Sequence, residues 1–275
     1  DRNRYSEFGN DAPAHFLFLF ISSYFLYNFK NKNKFFEILI ISTFIILNKI
    51  TLIFSFLFPF AHFFINRMKI VNLLNIKFCL PAILIIAWLL KNVIVSGCLI
   101  YPVNSLCFDS LKWSNLDKVK KFSINVESFS KSHSMQDEKD YLAPEKYNKN
   151  FNWVKTHYKY HLKDIVIKNI VIFLILSLII ILLIFKKNKA KPFYLFDKLD
   201  KVKIKYLFFI SFCGSLFWFL KAPTFRFGYS YIIVLLTTIM IFFIYKRSNL
   251  LTIRTSNLKV ICLLYTSPSP RDATL

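Results

Sequence analysis

The sequence predicts an all-α, polytopic transmembrane protein of about seven membrane crossings or dips, with a small extracytoplasmic helical loop region. Two observations carry that expectation. Hydrophobic residues make up 55% of the chain, above the roughly 45–50% of a soluble domain. The excess is gathered in continuous blocks such as IVIFLILSLIIILLIF at 170–185. In hydrocarbon every backbone polar group must be satisfied internally, so such blocks are helices or closed barrels. Runs without alternation select helices.

The formal net charge of +22 would suit a nucleic-acid binder, but its distribution does not. The lysines stand in short runs at the ends of apolar blocks, where orientation of a membrane protein puts them. The joint abundance of Lys, Asn, Ile and Phe is what an AT-rich genome encodes. No nucleic-acid partner is expected, and the bilayer is.

A spanning helix needs about 20 mostly apolar residues. Candidates in chain order are 12–29, 78–95, 165–185, 206–220 and 229–245. Between the first two lies 35–65, broken by Asn48-Lys49, too long for one helix and short for two. Charge decides how it runs. KNKNK at 30–34, NRMK at 66–69 and the stretch 186–205, with eight lysines, all read as cytoplasmic. They share a side only if 35–65 goes across and returns, so a hairpin is expected. The resulting regions are an N-terminal membrane region (1–95), an extracytoplasmic segment (96–163) and a C-terminal membrane region (164–261). Residue 1 is Asp, and CLLYTSPSPRDA at 262–273 resembles a translated sequencing-library adapter. The chain is therefore expected to be a fragment, with 262–275 set aside.

Four constellations could carry chemistry. The first is SEFGNDAPAH at 6–15, where Glu7, Asp11 and His15 precede a membrane helix. An outward carboxylate there suits a general base hydrogen-bonded to a hydroxyl. Asp11 equally suits an N-cap, with Pro13 in the first turn, and His15 an interfacial residue. The second is KNVIVSGCLIYP at 91–102: Lys91 and Asn92 lie near a helix end, where Lys91 either snorkels to the interface or meets an anion.

The third is KAPTFRFG at 221–228. Lys221 and Arg226 are cations in a short outward loop bounded by Pro223 and Gly228. A guanidinium held there suits phosphate recognition or headgroup anchoring. The fourth is Trp153, His157 and His161, on one helical face. A third ligand for a metal is lacking nearby, and an interfacial amphipathic helix with its aromatic side down is expected. Cys98 and Cys107 share an outward loop and are a disulfide candidate if that side is oxidising. The chain has no Walker loop and no GxGxxG, so nucleotide chemistry has no support.

SEFGNDAPAHF, SGCLIYP with CFDSLKW, and APTFRFGYSY together resemble a group of uncharacterised bacterial polytopic membrane proteins, similar to the GT-C glycosyltransferases. The resemblance implies a bacterial inner-membrane enzyme moving a sugar from a polyprenyl-phosphate donor to an extracytoplasmic acceptor. It implies a catalytic acid, Asp11 or Glu7, and phosphate-binding cations, Arg226 with Lys91 or Lys221. The chain has no Asp-x-Asp pair, and no cofactor or metal is expected. An O-antigen polymerase or ligase is the alternative enzyme, and a polytopic transporter or flippase the alternative of another class.

Overall fold

The computed structural model describes residues 11–69, 76–163 and 198–247, with isolated helical positions between 167 and 178. Glu7, most of the expected helix at 165–185, the lysines at 186–191 and the segment 262–275 lie outside the described residues. Helix α1 is Asp11–Tyr27, α2 is Phe35–Asn48 and α3 is Leu57–Ile65, preceded by a 3-10 stretch, Ile50–Phe56. Helix α4 is Cys79–Ser96, α5 Leu116–Ser130, α6 Pro144–Tyr147 and α7 Trp153–His157. Helices α8, Lys198–Lys221, and α9, Phe225–Arg247, complete the described chain. It is all-helical, with no strand among the described residues.

Three of these helices are long and apolar enough to cross a membrane: α4, α8 from Lys201 onwards, and α9 as far as Phe242. Helix α4 has only Pro81 buried against the rest of the chain, and Leu80, Ile83, Ile86 and Leu90 are all about half exposed or more. That surface suits hydrocarbon rather than water. Helix α1 has 17 residues and α2 has 14, about 25 and 21 Å at 1.5 Å per residue.

Residues 35–65 do fold back on themselves. Lys49 has extended backbone angles (φ −149°, ψ 100°) that end α2, and the chain returns through the 3-10 stretch and α3. Ser42 and Ser55 mark the facing arms. Each donates its hydroxyl to the other's carbonyl, at 3.0 and 3.4 Å, so neither polar side chain is left unsatisfied in the apolar interior. Lower down, Phe35 meets His62 and Phe63 at ring distances of 6.1 and 6.0 Å. The apex is therefore at Asn48–Lys49.

The core lies where α1, this hairpin, α8 and α9 meet. Phe18 packs edge-on to Phe58 and Tyr231, and Phe25 to Phe29 and Phe58. At one end Asn66 donates to the Phe29 carbonyl (3.0 Å) and Phe29 meets Tyr206 (6.1 Å). The lysine-bearing loops after α1 and α3 thus gather with the start of α8. The opposite end holds the N-terminus of α1, the hairpin apex and the α8–α9 turn.

The segment after α4 is a compact helical unit. Gly97, at φ 73°, caps α4 in the left-handed region, which a residue lacking Cβ adopts without penalty. Cys98 and Cys107 are joined by a disulfide, their Cα atoms 3.8 Å apart, closer than most disulfides bring them. Leu99 N–H donates to Leu106 O and Phe108 N–H to Gly97 O, both 2.8 Å, flanking the bridge.

The structure corrects the orientation expected for 153–161. Trp153 and His157 are buried, at 2% and 1% exposure, rather than turned to a membrane surface. Trp153 packs on Phe219 (5.2 Å) and under the Lys131 ammonium (5.2 Å), and His157 Nδ1 meets the Ser132 hydroxyl (3.0 Å). The aromatic face that periodicity identified is the face docked on α8.

Candidate functional site

The end opposite the lysine loops carries a charged cluster built from three distant parts of the chain. Asp11 stands in the first turn of α1, where the partial positive charge of a helix N-terminus favours a carboxylate. Arg226 stands in the first turn of α9. Lys49, at the hairpin apex, joins them. Its ammonium lies 2.6 Å from Asp11 Oδ1, donates to the Arg226 carbonyl at 2.9 Å, and sits 4.6 Å from the centre of the Phe227 ring. An ammonium has three donors; a carboxylate, a carbonyl and a ring face surround this one. That is what a charge with 5% side-chain exposure requires.

His15, one turn along α1 from Asp11, fixes the same loop. Its Nε2 meets the Arg226 carbonyl at 2.8 Å, and its Nδ1 meets the Ser230 hydroxyl at 2.7 Å. A carbonyl only accepts, so Nε2 carries the proton, and in the neutral ring Nδ1 accepts from Ser230. Thr51, just past the apex, donates to the Phe227 carbonyl (3.4 Å) and Tyr231 to the Thr51 carbonyl (3.2 Å). Helix α9 is thus tied to the hairpin at Arg226, Phe227 and Tyr231.

The turn from α8 into α9 is set by close packing. A Cβ on Gly228 would lie 2.2 Å from Trp218 Cγ, so only glycine lets the indole lie against α9. Trp218 Nε1 then donates to the Thr224 carbonyl at 2.7 Å. Gly228 therefore serves inside α9 rather than as a turn residue.

With the backbone of residue 226 so held, the guanidinium remains comparatively open. The side chain is 51% exposed, and Nε is 3.7 Å from Asp11 Oδ2, beyond hydrogen-bond reach. Its Cζ lies 4.7 Å from the centre of the Phe227 ring. Asp11 is 23% exposed. One of its oxygens is engaged by Lys49, while the other faces Arg226 and the outside. Two cations against one carboxylate leave the cluster with net charge +1. Phe225 and Tyr229, stacked at 5.9 Å, stand beside it.

Of the residues expected from sequence, the structure brings Asp11, His15 and Arg226 together. Lys91 and Lys221 are exposed, with no contact to Asp11, Lys49 or Arg226 among the described residues. The Asn92 side chain is engaged locally, donating to the Leu99 carbonyl (3.1 Å). Sequence reading missed Lys49. A signal existed: it is the sole Asp, Glu, Lys or Arg between 38 and 66, and a cation inside so apolar a stretch requires a partner.

The architecture defines an all-helical protein with helices able to cross a membrane and a charged cluster at one end of the bundle. A family described as Domain of unknown function (DUF8201) matches residues 9–233, and the chain belongs to it. The matched span contains Asp11, His15, Lys49, Arg226 and Ser230. No curated protein and no solved structure matches the chain.

Proposed function

We propose that this cluster binds the phosphate of a lipid-linked sugar and transfers the sugar to an acceptor hydroxyl. The observation that carries the reading is Arg226. Its backbone is fixed by two side-chain donors while its guanidinium is half exposed beside a single carboxylate. Such a guanidinium is pre-placed for a phosphate, which it grips with paired donors. In this mechanism Asp11 Oδ2 accepts the proton of the acceptor hydroxyl. The hydroxyl oxygen bonds to the anomeric carbon, the bond from that carbon to the phosphate oxygen breaks, and the lipid phosphate leaves. Arg226 takes up the charge that develops on that phosphate. Lys49 holds Asp11 through its other oxygen. The accompanying topology has about seven crossings or dips in a bacterial inner membrane, with this end extracytoplasmic. A polyprenyl tail would then lie along the lipid-facing helices.

The test uses the purified chain in nanodiscs with a polyprenyl phosphate and the matching polyprenol. Expected is binding of the phosphate over the alcohol. Arg226→Lys should weaken it by about 10-fold, or 1.4 kcal/mol, because an ammonium cannot reproduce the planar fork. Polyprenyl-phosphate hexoses then report transfer. Equal affinity for phosphate and alcohol refutes the reading.

A further inference from the structure

Helix α5 runs between the ends of two membrane-length helices. At its start Ser114 abuts Gly97, the cap of α4, so closely that a Cβ there would lie 2.6 Å from Ser114 Cβ. Asn115 then caps α5 by accepting from the Lys118 N–H (2.9 Å). At the other end the Ser130 hydroxyl, which donates to the Glu127 carbonyl (2.7 Å), lies against the carbonyl of Lys221, the last residue of α8 (3.5 Å). A helix whose two ends touch the termini of such helices lies across the end of the bundle. If α4 and α8 cross a membrane, α5 lies in the plane of its surface.

Its outer face has the matching chemistry. Val119, Ser128 and Ser130 are buried, whereas Phe122, Val126 and Phe129 are 46%, 43% and 74% exposed. Their spacing of four and three residues puts them in one stripe. Lys118 and Lys121, both exposed, fall along one flank of it on the helical wheel.

The stripe is continuous with the surface of α4. Tyr101 stacks on Phe122 (5.4 Å), and the indole N–H of Trp113 donates to the Val93 carbonyl in the last turn of α4 (3.2 Å). Trp113, 58% exposed, thus lies level with Ile94 and Val95, which are 70% and 73% exposed. A tryptophan at that depth, apolar body out and N–H satisfied, is what the headgroup layer selects.

We infer that α5 is an in-plane membrane helix that seats Phe122, Val126 and Phe129 in the headgroup layer, with Lys118 and Lys121 set against anionic lipid. Charge and continuity with α4 select lipid over a protein partner. Basic residues flanking a modest apolar stripe are the composition of interfacial helices, and lysines near the surface are drawn to anionic lipid. The inference rests on α4 and α8 crossing the bilayer and does not involve the Asp11–Arg226 chemistry.

The experiment uses the whole chain with Cys79, Cys213 and Cys262 changed to serine, reconstituted in nanodiscs of phosphatidylglycerol and phosphatidylcholine. A fluorophore is placed at Val126→Cys or, as the opposite-face control, at Lys120→Cys. Headgroup-level spin-labelled lipid should quench position 126 severalfold more than 120, and less when phosphatidylcholine is the sole lipid. The surface variant Lys118→Glu/Lys121→Glu, which leaves the packed face intact, should reproduce that reduction. Equal quenching at the two positions overturns the proposal. So does shielding of 126 from both lipid and aqueous quenchers, which would mean that protein covers the stripe. Indifference to lipid charge overturns the assignment of anionic lipid.

Discussion

The Lys49–Asp11 contact makes an asymmetric prediction about stability. Asp11→Asn leaves an ammonium with 5% exposure and no opposing charge. Breaking a buried pair from that side costs roughly 3–5 kcal/mol. Lys49→Met leaves a carboxylate that is 23% exposed and still 3.7 Å from Arg226. That loss is therefore smaller, about 1–2 kcal/mol. The Arg226 carbonyl keeps its bond to His15 in both variants. Replacing a whole buried pair is often nearly neutral, so Asp11→Asn/Lys49→Met should be more stable than Asp11→Asn alone. The coupling should be about 2 kcal/mol or more. Unfolding with sodium dodecyl sulfate in mixed micelles, followed by far-UV circular dichroism, measures the four proteins. Additive losses, with a coupling below about 0.5 kcal/mol, would refute the pairing. The double variant also separates scaffold from chemistry: it should fold, bind a polyprenyl phosphate through Arg226, and transfer nothing.

Burial, with His161 beside it and opposed by the Pro223 carbonyl, holds the His157 imidazole down at about 4 against an ordinary 6.5. Its stabilising contribution is complete above pH 6.5 and falls as pH drops toward 4, by on the order of 2–3 kcal/mol. His157→Gln should flatten that part of the pH–stability profile. Gly228→Ala drives a methyl into Trp218 and should cost about 1–3 kcal/mol, read as a lower unfolding midpoint in the same micelles. Cys98→Ala/Cys107→Ala opens a loop of sequence separation 9. The expected loss is about 2–3 kcal/mol on the chain-entropy model, and hydrogen exchange should localise it to the residues after α4.

The hairpin was legible because it followed from charge parity: the lysine loops at 30–34 and 66–69 share an end only if 35–65 returns. The convergence of Asp11 and Arg226 was legible for the same reason, since each begins a helix on the lysine-poor side. Lys49 was hidden by its setting. Inside an apolar run it reads as the break between two helices, and only the fold shows that the break itself supplies the counter-charge. The direction of the Trp153–His157 face was misread from sequence as membrane-facing. Its periodicity says that one face is apolar, but not whether lipid or Phe219 meets it. On α5 the reverse happened, for Lys and Asn runs expected from codon bias obscured a real stripe at Phe122, Val126 and Phe129.

The bonds that hold residue 226 end on its main chain. His15 and Lys49 approach the carbonyl oxygen at 2.8 and 2.9 Å, matching its two lone pairs, and every amino acid presents that oxygen. The cradle is therefore indifferent to what projects from it. An exchange of side chain at 226 leaves the framework standing and alters only what is offered to the outside. Proteins sharing this framework can diverge in ligand preference through one codon, with no compensating change at 15 or 49. The same property makes a series of substitutions at 226 a direct readout of recognition, free of the folding losses expected at its two anchors.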